Sequence, residues 1–234
     1  MKQIIYLLLA LILCSCARRI NGSRNIITKT IDIGNYTEIH ARASTNVYLD
    51  STLDGKIRIE APEELMDHIL CEVKDNALTV GFNNSFKWWE MRFGQGINVY
   101  VPCRHITRLV KTGSANISGS LETTQLAIET GGSGHVNINV NCQEIRVSKG
   151  GSSGVTLKGR CTTLDANLGG SGHLDAGELA TDVVNIRTGG STHATVNCNT
   201  TLVASASGSS KINYSGNPSV TKRISGSAKV RKAN

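Results

Sequence analysis

Apolar and polar positions repeat with one period along the C-terminal half of the chain. A glycine-serine pair recurs with its serine at Ser114, Ser133, Ser152, Ser171, Ser191, Ser209 and Ser227, at spacings of 19, 19, 19, 20, 18 and 18 residues. Three residues after each serine stands Ile117, Val136, Val155, Leu174, Ala194, Ile212 or Val230. Five after the first six stands Gly119, Ile138, Leu157, Ala176, Val196 or Tyr214. Between these two columns lie Ser118, Asn137, Thr156, Asp175, Thr195 and Asn213, so this part of each unit alternates with the two-residue period of a strand. Seven residues before each serine from Ser133 onward a second apolar column runs through Leu126, Ile145, Leu164, Val184, Leu202 and Val220. Five before it come Ile128, Val147, Ala166, Ile186 and Ala204. Each unit therefore predicts two short strands and a glycine-rich corner.

Neither strand can bury its apolar face alone, and stacking the units buries both. Coils about 4.8 Å apart with equivalent positions in register form a column roughly 30 Å long, a parallel β-helix. The six-residue period of a left-handed hexapeptide helix is absent, and right-handed crossovers are the general rule. The expected fold is all-β, a right-handed parallel β-helix of about 19-residue coils.

Residues 25–102 have a different pattern. Thr37 to Asp50 alternates as a strand, and Ala43-Ser44-Thr45-Asn46-Val47 matches Gly113-Ser114-Ala115-Asn116-Ile117, which predicts an irregular first coil. Pro62 to Leu70 has proline and acids at its start and Leu65, Met66, Ile69 and Leu70 on one face, the pattern of a short amphipathic helix. Ala77 to Val80 and Ile97 to Val101 read as further strands. An open β-helix end exposes unpaired strands and core, so this region is expected to be a terminal cap.

Ahead of it, Met1-Lys2-Gln3 and an apolar run to Leu13 have the layout of a secretion signal, too short to span a bilayer. Leu13-Cys14-Ser15-Cys16 resembles the bacterial lipobox, with an aliphatic residue three before Cys16 and a small residue directly before it. That resemblance implies acylation of Cys16 and a membrane held through an N-terminal lipid anchor. Ala17 is not the acidic residue that retains enteric lipoproteins in the inner membrane, so an outer-membrane lipoprotein is expected, facing the periplasm or the cell surface. The expected organisation is a signal peptide at 1–15, a tether at 16–24, the cap with its irregular coils at 25–102, and the regular repeats at 103–234.

Composition suits this layout: 24 glycines, 3 prolines and 4% aromatic residues favour short strands with tight corners over an aromatic core. The net charge of +7 is dispersed, apart from Arg18, Arg19 and Arg24 beside the anchor and Lys222, Arg223, Lys229, Arg231 and Lys232 near the C-terminus. An anionic membrane surface accounts for the first cluster and a charged chain end for the second, and no nucleic-acid partner is expected.

The strand "EIHARASTNVYLD", the segment "PEELMDHILCEVKDNALTVGF", the strand "GINVYVP" and then "TGSANISG" with its glycine-serine repeats, taken in this order, resemble the family described as "putative auto-transporter adhesin, head GIN domain", common among Bacteroidetes lipoproteins. The resemblance covers about residues 30 to 230. It implies a right-handed β-helix and an adhesin or cell-envelope role, and it brings no catalytic residues with it.

The register allows chemistry to be weighed on paper. Polysaccharide-active β-helix enzymes need carboxylates or bases on adjoining coils. Here Asp175 falls between Thr156 and Thr195, and Asp165 between Arg146 and Asn185; only a cross-column pair such as Asp175 with Glu178 stays open. Another column reads Asn116, His135, Gly154, His173, His193, Lys211 and Lys229. His173 and His193 are neighbours, but His135 is two coils away and no acid is present, so a solvated polar stripe is the simpler reading and no metal or cofactor is expected. Cys71, Cys103, Cys142, Cys161 and Cys198 match no metal spacing; Cys142 stacks on Cys161, as an apolar ladder or a disulfide, and Cys71 with Cys103 is a second pairing to consider. Phe82, Phe86, Trp88, Trp89 and Phe93 include every phenylalanine and tryptophan of the chain. They either plug the open end or meet a ligand, and Phe86, Trp88, Trp89 and Phe93 are the candidate contact residues.

These readings point to a non-enzymatic cell-envelope lipoprotein, an adhesin or binding module for a glycan or an envelope protein. A polysaccharide-active enzyme and an envelope-assembly scaffold are the competing functions. Replacing Cys16 with alanine is expected to abolish labelling of the exported protein by a fatty-acid analogue; labelling that persists would refute the anchor.

Overall fold

The computed structural model describes residues 20–21, 25–83, 91–92 and 96–233. The glycine before each repeat serine has a left-handed backbone, with φ between 66° and 80° from Gly113 to Gly226. That conformation turns the chain through a corner that residues with a Cβ rarely adopt. From coil to coil the corners are joined by backbone hydrogen bonds: Ser133 N–H donates to Gly113 O at 2.9 Å, Ser152 to Gly132 O at 3.0 Å, and Ser227 to Gly208 O at 2.9 Å. A Cβ on Gly132 would lie 2.3 Å from Gly113 O, and one on Gly134 only 1.7 Å from Ala115 O.

Two sheets flank this corner. The sheet preceding it stacks Ala77–Phe82, Glu38–Ala41, Arg108–Lys111, Gln125–Thr130, the second halves of four long strands, and Ser219–Ile224, all parallel. The sheet following it stacks Ile97–Val101, Thr45–Leu49, Asn116–Glu122, the first halves of the same long strands, Lys211–Ser215 and Lys229–Lys232. The repeat period thus builds a parallel β-helix of about 7 turns. Inward positions such as Ile39, Leu109, Ile128, Ile138 and Leu164 are wholly buried and form one continuous core.

In the four central coils the two short strands expected from the pattern are fused. His135–Lys149, Gly154–Leu168, His173–Thr188 and His193–Ala206 each run unbroken around the bend opposite the corner. Ladder pairing persists there, with Val140 to Cys142 opposite Gly159 to Cys161, so the strand bends without ending. Gly159, at φ 105°, supplies one of these bends. The one 20-residue spacing, between Ser171 and Ser191, appears as register shifts on both sides of its coil, at Thr156/Lys158 and Ala176/Ala180.

The N-terminal coils are stacked out of chain order. Glu38–Ala41 and Thr45–Leu49 form the coil on which the regular repeats rest, with Ala43 (φ 59°) in the place of the corner glycine. The coil expected to be first is therefore second in space, because Ala77–Phe82 and Ile97–Val101 stack on its outer side. Antiparallel strands cover that end: Ile69–Lys74 pairs with Ala77–Phe82, Lys56–Pro62 with Ile97–Val101, and Ile26–Asp32 with Lys56–Pro62. The predicted helix is a 3-10 turn, Glu63–His68, burying Leu65 and Met66. Ile69 and Leu70 leave it, since pairing to Phe82 and Gly81 satisfies their backbone in a strand.

Two lysines lie inside the column. Lys111 and Lys149 are buried, with Lys149 Nζ 3.0 Å from Gly169 O and Lys111 Nζ 3.4 Å from Gly113 O, both corner carbonyls. Thr130 and Ser153 hydroxyls join at 2.8 Å beside them. Desolvation pushes both ammonium groups below the ordinary lysine range, and the charge of Lys149 pushes Lys111 further.

Replacing Ile138 or Leu164 with aspartate is expected to cost several kcal/mol, on the order of a domain's whole margin. Asn137→Ser and Asp165→Ser should each cost under about 1 kcal/mol in urea titrations, as surface changes do; equal losses in all four would refute the register. The buried lysines give a pH signature. Both folded and unfolded chains hold these protons at low pH, where burying the charge costs stability. Between the depressed folded values and the unfolded value near 10.5 the unfolded chain binds more protons, so stability contributed at these positions rises with pH. The stability of the native chain relative to the Lys111→Met/Lys149→Met variant should therefore climb as pH approaches 10.5, and a pH-independent difference would contradict it.

Candidate functional site

Outward residues on a parallel β-helix fall into straight columns, and on the sheet after the corner two adjoining columns are organised. In the first, Asn46 Nδ2 donates to Asn98 Oδ1 at 3.1 Å, and Asn116 Nδ2 donates to Asn46 Oδ1 at 2.9 Å. The row ends where Asn116 Oδ1 accepts the backbone N–H of His135 at 2.9 Å. In the second, the rings of Tyr48 and Tyr100 stack with centroids 4.9 Å apart and planes 20° from parallel. The Arg58 guanidinium covers Tyr100 at 4.1 Å from its centroid. The Tyr100 hydroxyl donates to Glu60 Oε2 at 3.1 Å, and Glu60 also meets Arg58 Nε at 3.6 Å.

Strand pairing produces this cluster from residues far apart in sequence. Asn46-Val47-Tyr48 lies beside Asn98-Val99-Tyr100, and the antiparallel strand Lys56–Pro62 sets Arg58 opposite Tyr100 and Glu60 opposite Asn98. Val47 and Val99 point inward and are buried, which fixes the asparagines and tyrosines outward. Burial first, then the bond to Glu60, pushes the Tyr100 hydroxyl above the ordinary tyrosine range, so it stays a neutral donor. Sequence reasoning missed these residues. The signal was present, since the tripeptide Asn-Val-Tyr occurs twice, at 46–48 and 98–100.

On the sheet before the corner, a groove of about 610 Å³ is lined by Glu129, Arg146, Ser148, Asp165, Asn167 and Arg187, among others. Its carboxylates are engaged separately: Glu129 Oε1 accepts from Arg108 at 2.9 Å and Asp165 Oδ1 from Asn185 at 2.8 Å. Asp175 has Thr156 and Thr195 as ladder neighbours and accepts the Gly177 N–H at 3.2 Å, while Glu178 pairs with Lys158 at 3.0 Å. Asp175 and Glu178 are thus directed to different partners. Of these acids Glu129 and Glu178 are paired with cations, while Asp165 and Asp175 accept from an amide and a backbone N–H.

The histidine column has the expected register, with one correction. His135 and His173 are two coils apart, yet their rings approach to 5.8 Å between centroids. Both lean over Gly154, where a Cβ would lie 2.5 Å from His135 Cδ2 and 2.6 Å from His173 Cε1. Among the described residues no group of three or more histidine, cysteine or acidic side chains is placed to hold a metal ion. Cys71, Cys103, Cys142, Cys161 and Cys198 are free thiols, so neither suggested pairing, Cys142 with Cys161 or Cys71 with Cys103, is closed in this structure. Cys16 and the candidate contacts Phe86, Trp88, Trp89 and Phe93 lie outside the described residues. Phe82 ends its strand partly buried against the core. No helix among the described residues is long and apolar enough to cross a membrane.

The family model described as "putative auto-transporter adhesin, head GIN domain" matches residues 35–218. Solved structures share the fold. A "putative adhesin" from Bacteroides fragilis superposes with a TM-score of 0.82 at 24% identity, covering 92% of this chain and 100% of that one. A "putative lipid binding protein" from Parabacteroides distasonis gives 0.74 at 22% identity, with 92% and 100% covered. A "putative adhesin" from Parabacteroides merdae gives 0.65 at 20% identity, with 92% and 99% covered. No curated protein matches the sequence.

Proposed function

The chain belongs to the head GIN domain family of "putative auto-transporter adhesins", and on that premise we propose that it is a non-enzymatic binding module of the bacterial cell envelope that takes a glycan. In this reading Cys16 carries the lipid that holds the module to the outer membrane, and the β-helix is a rigid display column. The observation that supports the glycan is the Tyr48–Tyr100 stack with Arg58 and Glu60 beside the row of Asn98, Asn46 and Asn116. The outer edges of the stacked rings give apolar area to a sugar, while fixed amides and charged groups meet its hydroxyls. The connection that carries Phe86, Trp88, Trp89 and Phe93 leads along the chain into the strand of Asn98 and Tyr100. Those four side chains are proposed as further contacts of the same ligand.

A second reading draws on the last coil, where Lys222, Arg223, Lys229, Arg231 and Lys232 are all exposed on two adjacent strands. One relative in fold is described as lipid binding, and five cations on one coil suit an anionic headgroup.

A glycan array probed with the purified protein, followed by titration of any retained glycan, tests the first reading. Tyr48→Ala/Tyr100→Ala and Trp88→Ala/Trp89→Ala should each weaken binding about tenfold or more, as loss of aromatic contacts of about 0.5–1.5 kcal/mol each implies. The tryptophan variant should melt near the native chain, and the tyrosine variant should stay folded at the assay temperature while losing affinity, its melting temperature falling only by what the lost stack and the bond to Glu60 contribute. An array without binding, or variants that lose stability and no selective affinity, would defeat the proposal; binding only to anionic phospholipid vesicles would favour the second reading.

A further inference from the structure

Around the bend opposite the glycine corner, one column runs from coil to coil through Cys142, Cys161, Thr181 and Cys198. Cys142 and Cys161 are direct ladder partners on neighbouring parallel coils. Strands so paired lie about 4.8 Å apart, inside the span of about 4.4–6.8 Å between Cα atoms that a disulfide bridges. Cys161 is buried at 1% exposure, whereas Cys142 is half-buried and reached by solvent. The two side chains stand side by side on neighbouring strands, close enough that each perturbs the ionisation of the other. Directly beside them the ladder between these coils is interrupted at Gln143, which leaves the backbone room to adjust. The other cysteines are placed differently: Cys71 pairs with Val80, and Cys198 with Thr181.

We propose that Cys142 and Cys161 are a modification site, a dithiol that closes to a disulfide stapling two neighbouring coils when it meets an external disulfide oxidant. The Cys142 thiolate attacks the external disulfide, whose S–S bond breaks, giving a mixed disulfide and one released thiolate. Cys161 then attacks Cys142 Sγ and expels the second thiolate. Two protein thiols are oxidised by two electrons, one external disulfide is reduced to two thiols, and the two protons pass to the thiolates released. Bridging in-register parallel strands draws the two Cβ atoms together, so the bond is strained and a dithiol reductant reopens it. The staple is a reversible one.

The pair also sets the rate. Donation to Cys161, and then burial, holds the Cys142 thiol well above the ordinary cysteine range, while accepting that bond holds Cys161 below it. Closure begins at the more exposed Cys142, whose thiol must first ionise, so its rate rises with pH.

The purified full-length protein, exposed to oxidised glutathione, alkylated in denaturant and digested with trypsin, tests this without reference to where the protein resides. Cleavage after Arg146 and Arg160 places Cys142 and Cys161 in separate peptides. The expected product is a cross-linked pair of those peptides, two hydrogens lighter than their sum, accompanied by a higher melting temperature. Both signatures should vanish in Cys142→Ser and persist in Cys198→Ser, and the rate should climb with pH. Complete alkylation of Cys142 and Cys161 after oxidation, or cross-links that join other cysteines instead, would overturn the proposal.

Discussion

The carbonyl oxygen of the corner glycine is the constraint around which this molecule is built. Each coil must lie one strand spacing, about 4.8 Å, from the last, and at the corner the serine N–H of one coil reaches the glycine oxygen of the coil before it. That approach leaves no room for a side chain: a Cβ at Gly132, Gly151 or Gly170 would stand 2.2 to 2.8 Å from the preceding glycine oxygen. The left-handed backbone and the missing Cβ are two aspects of the same requirement. The buried polar groups follow from it as well, because a turn this tight aims carbonyls into the column, where Lys149 Nζ and the hydroxyls of Ser153, Thr192 and Ser210 donate to them. Two lysines without a carboxylate would otherwise be hard to account for inside an apolar core.

Strict register has a second consequence, on the outside. Whatever stands at one position is repeated about 4.8 Å away, so a residue is favoured outward if it tolerates its like as a neighbour or finds a partner above or below. Asparagine satisfies itself, each amide giving a proton to the next, as from Asn116 to Asn46 to Asn98. Tyrosine stacks on tyrosine. Most charges are matched to the opposite sign on a neighbouring coil, as Arg108 is by Glu38 and Glu129 and Lys158 by Glu178, and the last coils, where Lys211 lies beside Lys229, are the exception. Isolated acids are the result: in the groove before the corner Glu129 and Asp165 each find a partner other than a second carboxylate.

How much of this is legible in sequence depends on whether the relevant neighbour is one period away. The glycine-serine repeat sets the corner, the inward columns and the flanks of Asp165 and Asp175, all of which the structure reproduces. The order of the first coils is not legible, because Glu38–Leu49 is clasped between strands from residues 77–101 and 108–122, and no period relates them. The Tyr48 and Tyr100 stack lies off the period for the same reason, and the repeated Asn-Val-Tyr tripeptide is its one mark in the sequence. The approach of His135 to His173 escapes for another, since counting coils treats every position as filled while Gly154 leaves a gap that both rings occupy. The fused strands escape because polar residues at the bend resemble a loop, whereas their backbones remain paired.

A repetitive column also bears on how such a surface can bind. Ordering exposed side chains at an interface costs free energy that weak polar contacts struggle to offset. In the cluster after the corner most of that cost is met on folding: Asn46 is held on both sides, Tyr100 is held by Tyr48, Arg58 and Glu60, and the strands beneath are buried through Val47 and Val99. What such a surface keeps for a ligand is its unspent faces, the outer edges of the rings and the amide atoms not used in the row. Those are shallow and few, so a glycan bound there as proposed would be held weakly at each site and selected by the spacing of the column. A binder of this type gains strength by engaging many equivalent points or many copies at once, since linked weak contacts multiply without new chemistry. A lipid-anchored module displayed in numbers on a cell would meet that condition, and a single soluble copy would not.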